Sequence, residues 1–393
     1  MIYQRTHYKR INKRIKEKRK FLQVMLGARQ VGKTTLVRQL MKEYKYPSEY
    51  VTADNQSSPV WLEQIWQSAR LKLHSSEAKE SLLIIDEIQK IKNWSEVVKK
   101  YWDEDSYKDT NLKVIILGSS SLLIDKGLSE SLAGRFETIP IPHWGYTEMR
   151  DAFDITPEQY AYFGGYPGAA DMIKNEKRWR DYINNSLIET TVSKDILQME
   201  LIYKPKLLRN LFQLGGQYSS QILSFNKILG QLQDAGNTTT LSHYLNLLSG
   251  AGLLTGLEKY STNQLKVRSS SPKFQVYNNA LLTAQSPMSW KEFTVNPKLR
   301  GRVIESAVGA HLLAHSTDNY KLQYWNESNA EVDFVITNGK KVVAIEVKSY
   351  STSKHSGMEK FMKLYDVDKS ILINDSGMSW QEFLTLDPNL MLK

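Results

Sequence analysis

The 393-residue sequence contains no cysteine. That excludes disulfides, thiolate-ligated zinc and cysteine nucleophiles, and it suits a reducing compartment. Apolar runs long enough to span a bilayer are also missing, so no membrane span is expected. Acid is nearly missing from the first twenty residues. Glu17 stands alone there against Arg5, Lys9, Arg10, Lys13, Arg14, Lys16, Lys18, Arg19 and Lys20. Nine bases against one acid give this block +8 of the formal net charge of +10. A secretory leader needs an apolar core that this segment lacks, so a cytoplasmic location is expected. Such a block attracts phosphate backbones or anionic lipid, or forms the solvated face of a helix leading into the first strand; charge alone does not choose. Charged residues make up 24% and hydrophobic residues 41%, as in a globular chain, and the length suggests two or three domains.

The first half alternates strand and helix. Apolar strands are expected at 21–27, 48–54, 81–87, 112–120 and 136–141, with a helix from Lys33 to about Tyr44. This alternation implies a parallel sheet covered on both faces. The run "LLII" is continuously apolar, as a strand buried on both sides should be. From Pro205 the pattern is helical. Segments 224–233 and 238–252 read as helix-turn-helix, and two strands follow around a Ser-rich basic loop with Lys266, Arg268 and Lys273. That is the layout of a winged helix. The presumed recognition helix offers Thr239, Ser242, His243 and Asn246 but no Lys or Arg, so DNA reading and an interdomain lever are equal alternatives for it. Leu241, Leu245, Leu247 and Leu248 are its expected core.

Residues Gly27, Ala28, Arg29, Gln30, Val31, Gly32, Lys33 and Thr34 match G-x-x-x-x-G-K-[ST], with Thr35 following. Glycines let backbone N–H groups turn around phosphate oxygens, and the helix start adds its positive dipole end. Lys33 brings an ammonium to the β/γ-phosphates, and Thr34 a hydroxyl to Mg²⁺. ATP and Mg²⁺ are the expected cofactors. Asp86, ending an apolar strand, is placed to hold the metal through its water, and Glu87 to orient the attacking water. Ser119 or Ser120, ending the next strand, either senses the γ-phosphate or begins a turn.

The wording "GARQVGKTTL…LLIIDEIQ…ILGSSS…LAGR…GGYP" resembles the predicted prokaryotic P-loop ATPases of the AAA/STAND class. The resemblance implies an α/β ATPase core with a helical lid. It also suggests that Arg135 touches the γ-phosphate, in cis or from a neighbouring subunit. It further suggests that Gly165 and Pro167 lie near the base and report nucleotide state.

A second set of acids lies in "AEVDFVITNGKKVVAIEVKSY" (330–350). Asn338-Gly339 is a two-residue hairpin signal. That turn predicts Thr337 opposite Lys340, Val335 opposite Val342, Asp333 opposite Ala344 and Glu331 opposite Glu346. Alternation then puts Val332, Phe334, Val343, Ile345 and Val347 on one face, and Asp333, Glu346 and Lys348 on the other. Asp333 becomes the diagonal neighbour of Glu346. Two carboxylates and a lysine on one face suit metal-assisted attack on phosphodiesters. Asp333 and Glu346 are the expected Mg²⁺ ligands, Glu305 a third acid, and Lys348 a stabiliser of the water or anion. Lys348 bridging one of the acids, with no metal, is the structural alternative.

Asp333 with Glu346-Val-Lys348 resembles the D…ExK motif of the restriction-endonuclease-like, PD-(D/E)xK domain. The same domain follows the ATPase, often behind a winged helix, in the family named above. The resemblance divides the chain into an ATPase with helical lid (1–204), a winged helix (205–285) and a nuclease-like domain of mixed α/β structure (286–393). Family members often carry an acid after "PK", where this chain has Asn278. His311 and His315, four apart on a helix, lack the Glu of H-E-x-x-H and are expected as a helix-surface pair. The expected function is a Mg²⁺-dependent ATPase whose nucleotide state controls a nuclease-like domain on nucleic acid, most simply DNA. The alternative is a slow nucleotide-dependent switch with a binding-only C-terminal domain. Its target would be a protein partner or a second copy of the chain.

Overall fold

The computed structural model describes residues 3–118, 128, 131–197, 202–232, 237–263, 265, 267, 269–316, 319–348, 356–374 and 377–393. Contacts divide the chain into two compact units, Met1–Ile141 and Pro142–Lys393.

In the first unit five strands form one sheet in the order β2-β3-β4-β1-β5: β1 (Leu22–Leu26), β2 (Ser48–Thr52), β3 (Ser81–Asp86), β4 (Leu112–Gly118) and β5 (Phe136–Pro140). All pairings are parallel. Alternation explains the unbroken apolar runs of β3 and β4. Leu83, Ile85, Val114 and Ile116 enter one core with Trp66, Val98 and Trp102, whereas Leu82, Ile84, Ile115 and Leu117 enter the other with Leu36, Val37 and Leu40.

The basic N-terminal block is no free tail. Helix His7–Lys16 sends Tyr8, Ile11 and Ile15 into the second of these cores. Lys9, Arg10, Lys13 and Lys16 remain exposed on its other side. Arg19 lies over the Trp102 ring at 3.6 Å. Arg5, expected among the solvated bases, is instead buried and donates to the Val31 carbonyl at 3.0 Å.

The second unit holds a mixed six-stranded sheet, β11-β10-β9-β8-β6-β7. Its strands are β6 (Leu254–Lys259), β7 (Lys273–Val276), β8 (Lys321–Glu327), β9 (Ala330–Thr337), β10 (Val342–Val347) and β11 (Lys369–Ile373). Helices Pro205–Gln217, Phe225–Leu232 and Thr238–Gly250 precede the antiparallel pair β6–β7. Leu241, Leu245, Leu247 and Leu248 are buried as expected, and Ser242, His243 and Asn246 face solvent. Residues 142–197 belong to this unit. Tyr162 donates to the Met288 carbonyl (2.7 Å), and Arg180 donates to the carbonyls of Thr283 (3.0 Å) and Met288 (3.0 Å).

His311 and His315 do not form a surface pair. His311 is buried, with Nε2 3.0 Å from the Leu386 carbonyl, and His315 Nδ1 lies 2.8 Å from the His311 carbonyl. Burial, then the neighbouring His315, lowers the His311 pKa to about 3, so this imidazole stays neutral. Among the described residues no helix is long and apolar enough to cross a membrane.

Candidate functional site

The phosphate loop joins β1 to helix Lys33–Glu43. Gly27 permits a close approach: a Cβ there would stand 2.2 Å from the Ile141 carbonyl oxygen. Gly32 is left-handed, with φ +90°, and Gln30 also has positive φ, 61°. These turns fold the backbone around the helix start, the geometry of an anion-binding nest. Val31 anchors the loop in the core at 0% exposure. Lys33 is buried, and its Nζ donates to the carbonyls of Gly27 (2.8 Å) and Ala28 (2.9 Å). Ala28 and Arg29 are half-buried, and Thr35 is exposed.

β4 separates β1 from β3, so Asp86 and the loop stand at the same end of two non-adjacent strands. Thr34 Oγ1 donates to Asp86 Oδ2 at 3.2 Å. These hard oxygens fit a Mg²⁺ ion. Tyr50, on β2, donates to the same Asp86 oxygen at 2.5 Å. Burial and then the hydrogen bond to Asp86 hold the Tyr50 phenol above its ordinary range, so it remains a donor. We expect Tyr50→Phe to cost roughly 1 kcal/mol in urea unfolding. It should also raise the Mg²⁺ needed for half-maximal ATP turnover; an unchanged Mg²⁺ requirement would show that Asp86 is held without the phenol. Glu87 follows with φ 55° and accepts from Gln89 Nε2 at 2.7 Å. Left-handed backbone at a non-glycine residue is concentrated at functional positions.

Arg135 forms a two-pronged ion pair with Asp103, Nε to Oδ1 at 2.7 Å and Nη2 to Oδ2 at 2.9 Å. Gly165 and Pro167 lie in the second unit. There the Gly165 N–H donates to Asn278 Oδ1 at 3.1 Å, and Asn278 Nδ2 meets His143 Nδ1 at 3.2 Å. His143 Nε2 lies 3.0 Å from the Gly252 carbonyl, which fixes the proton on Nε2 and leaves Nδ1 to accept. Asn278 is therefore a buried clamp on the "GGYP" turn. Ser119 and Ser120 lie outside the described residues.

The C-terminal hairpin is shifted from the expected register by two residues. Thr337 pairs with Val342, and Val335 with Ala344. The loop has four residues because the Asn338 side chain accepts from the backbone N–H groups of Lys340 (3.1 Å) and Lys341 (2.9 Å). An even shift keeps each residue on its face and brings Asp333 level with Glu346, one step past the Phe334–Ile345 pair. A bulge sets Asp333 and Phe334 of β9 against Tyr324 of β8, between the pairs Val335–Gln323 and Val332–Trp325. It breaks the expected apolar face: Val332 and Val335 enter one cluster with Ala344, Met358 and Phe361. Asp333 Oδ2 accepts the Val347 N–H at 2.8 Å. Glu346 is buried, with Oε1 paired to Lys348 Nζ at 2.7 Å.

Sequence reasoning placed Lys273 in a basic loop; it opens β7 at 0% exposure. Its Nζ lies 2.9 Å from Glu305, 3.2 Å from Glu331 and 3.5 Å from Asp333 Oδ1, and 3.1 Å from the Asp333 carbonyl. Burial alone would lower the Lys273 pKa, but Glu305, Asp333 and Glu331 hold it above the ordinary lysine value. Burial likewise pushes the Glu305 carboxyl up to about 8, against the pull of Lys273. Glu305 and Asp333 are thus brought together, but around an ammonium. Among the described residues no group of three His, Asp or Glu side chains is arranged to hold a metal ion. The donor set around Lys273 does not fit a divalent cation as it stands. The "PK" dipeptide was the one sequence signal for this lysine, whereas Tyr50 and Arg5 had none.

Residues 19–150 match the AAA domain family. Residues 156–292 and 300–382 match two domains of unknown function, DUF8612 and DUF4143. An uncharacterized protein of Methanocaldococcus jannaschii is 24% identical over 401 residues, covering 93% of this chain and 84% of that relative. Among solved structures, the Walker-type ATPase of Pyrococcus abyssi is similar with a TM-score of 0.52 at 13% identity, covering 72% of this chain and 96% of that one. The RuvB Holliday junction branch migration motor of Thermotoga maritima gives 0.34 at 17% identity, over 60% of this chain and 82% of the motor. With β4 between the loop-bearing strand and the strand of Asp86, and with residues 19–150 matching the AAA domain model, the chain carries the P-loop ATPase fold.

Proposed function

We propose that the chain is a Mg²⁺-dependent ATPase whose nucleotide state controls a C-terminal domain that acts on or binds nucleic acid, DNA in the first instance. The observation that carries the ATPase reading is Thr34 Oγ1 on Asp86 Oδ2 at 3.2 Å, beside a loop whose Lys33 is buried against it. Backbone N–H groups of residues 27–35 and Lys33 would hold the phosphates, and Thr34 and Asp86 the Mg²⁺. The ion would supply neutralisation of phosphate charge. Glu87 orients the attacking water and takes its proton. Arg135 reaches a γ-phosphate only after giving up Asp103, which makes that ion pair a candidate switch.

The domain reading is an ATPase with lid to residue 204, a winged helix to 285 and a restriction-endonuclease-like domain beyond. Three helices ahead of the β6–β7 pair support the winged helix. The order helix Pro297–His315, β8, β9, β10, helix Ser356–Leu364, β11, with β11 parallel to β10, supports the nuclease-like fold. Lys273 among the acids favours binding over cleavage within that fold. The exposed bases of helix His7–Lys16 supply a salt-sensitive phosphate-binding face.

The test is plasmid and single-stranded DNA incubated with wild type and Glu346→Ala, in Mg²⁺ or Mn²⁺, with and without ATP. Retention of intact DNA by wild type is the expected result. Cleavage by wild type but not by Glu346→Ala would establish an active nuclease instead. Absence of both binding and cleavage would turn the target toward a protein partner.

A further inference from the structure

We propose that the Lys273 ammonium is the resident cation of the Glu305–Glu331–Asp333 cluster, so that the C-terminal domain holds these acids without a divalent metal ion. The inference rests on the nuclease-like reading of residues 286–393, because that reading leads one to expect a metal there.

The geometry fills the ammonium. Its three N–H donors meet Glu305 Oε1 (2.9 Å), Glu331 Oε1 (3.2 Å) and the Asp333 carbonyl (3.1 Å), with Asp333 Oδ1 at 3.5 Å. The Phe334 ring lies beneath Nζ, 4.9 Å from it. Lys273 is held by its backbone as well: it pairs with Leu257 of β6 and bridges Ile222. Swinging the side chain out would strand three acids.

The oxygens that face Lys273 are already engaged by its ammonium. Asp333 spends its other oxygen on the Val347 N–H. Glu346 gives Oε1 to Lys348, whereas its Oε2 is buried without a hydrogen-bond partner; the cavity of about 130 Å³ that it lines offers that oxygen only Met358, Ile371 and Leu372, with Ser370 the one added hydroxyl. A hard divalent cation wants six or more oxygens at about 2.0–2.6 Å. It would also sit beside the fixed positive charge of Lys273.

The experiment is Mn²⁺ binding to the full chain, read by electron paramagnetic resonance without nucleotide or nucleic acid, in an Asp86→Asn background that silences the phosphate-loop site. Wild type at Lys273 and Asp333→Asn should bind the same amount of Mn²⁺ at millimolar concentration. Lys273→Met should gain one Mn²⁺, at least about tenfold tighter than any site in the parent. Adding Asp333→Asn should remove it. Mn²⁺ bound by the parent but not by Asp333→Asn would overturn the inference, and this comparison decides even where Lys273→Met fails to fold. Lys273→Met/Glu305→Gln, with less uncompensated charge, is the second carrier of the expected gain. Because no nucleic acid is present, a C-terminal domain that neither binds nor cuts DNA would defeat the functional reading and leave this result standing.

Discussion

Lys33→Ala should reduce ATP turnover by about 10²-fold or more, with helix content by circular dichroism unchanged. Lys33 is the cation that the G-x-x-x-x-G-K-[ST] motif fixes, and burial strengthens its field at the loop. It sits on the carbonyls of Gly27 and Ala28, already at the loop rim, so little reorganisation separates it from a phosphate. Removing one charge-assisted hydrogen bond from a transition state costs roughly 3 kcal/mol, which is about two decades of rate. The alanine variant also leaves those two carbonyls without their ammonium donor, so the loop itself should loosen. ATP turnover and calorimetric ATP binding check both consequences. Turnover unchanged from wild type would remove the phosphate-loop assignment.

Glu87→Gln should separate binding from hydrolysis. The substitution keeps the shape and keeps an oxygen to accept from Gln89, but it removes the charge that takes a proton from water. Loss of a general base costs about 10²–10⁴-fold. The variant should therefore retain ATP at near wild-type affinity and hydrolyse it slowly in single turnover. A variant that turns over normally would move the role to another residue. The left-handed Glu87 backbone, at the step from β3 into the turn Ile88–Lys90, aims this side chain away from the strand's own alternation.

What the sequence disclosed follows from how local each signal is. The phosphate loop was legible because glycine, lysine and threonine at fixed spacing dictate a backbone, and the structure provides the left-handed Gly32 that the spacing implies. The buried strands were legible because Leu82–Ile85 is apolar at every step, and each step faces one of two cores. The hairpin was legible as a hairpin but not in register. Asn338-Gly339 reads as a two-residue turn until the Asn338 side chain is seen to bind two N–H groups and widen it to four. The faces of β10 survived because the slip was even, whereas those of β9 failed at the Asp333–Phe334 bulge, which no alternation pattern announces.

Lys273 shows the other limit. A lysine after serine and proline reads as solvated loop, and only the convergence of Glu305 from a helix with Glu331 and Asp333 from β9 makes burial tolerable. His311 is similar: its partner, the Leu386 carbonyl, lies 75 residues away, so its burial leaves no trace in the i, i+4 spacing. Tyr50 sits in an ordinary strand run, and its bond to Asp86 follows from the strand order, which places β2 beside β3.

On the proposed reading, nucleotide state governs the C-terminal domain. The most direct measurement is DNA affinity of the Glu87→Gln chain at fixed salt, nucleotide-free and then loaded with ATP and Mg²⁺. Salt must be held constant because phosphate binding is strongly salt-dependent. A change in dissociation constant of about tenfold, a coupling of roughly 1.4 kcal/mol, is the predicted result. Equal affinities in the two states, with ATP binding verified in the same sample, would contradict it.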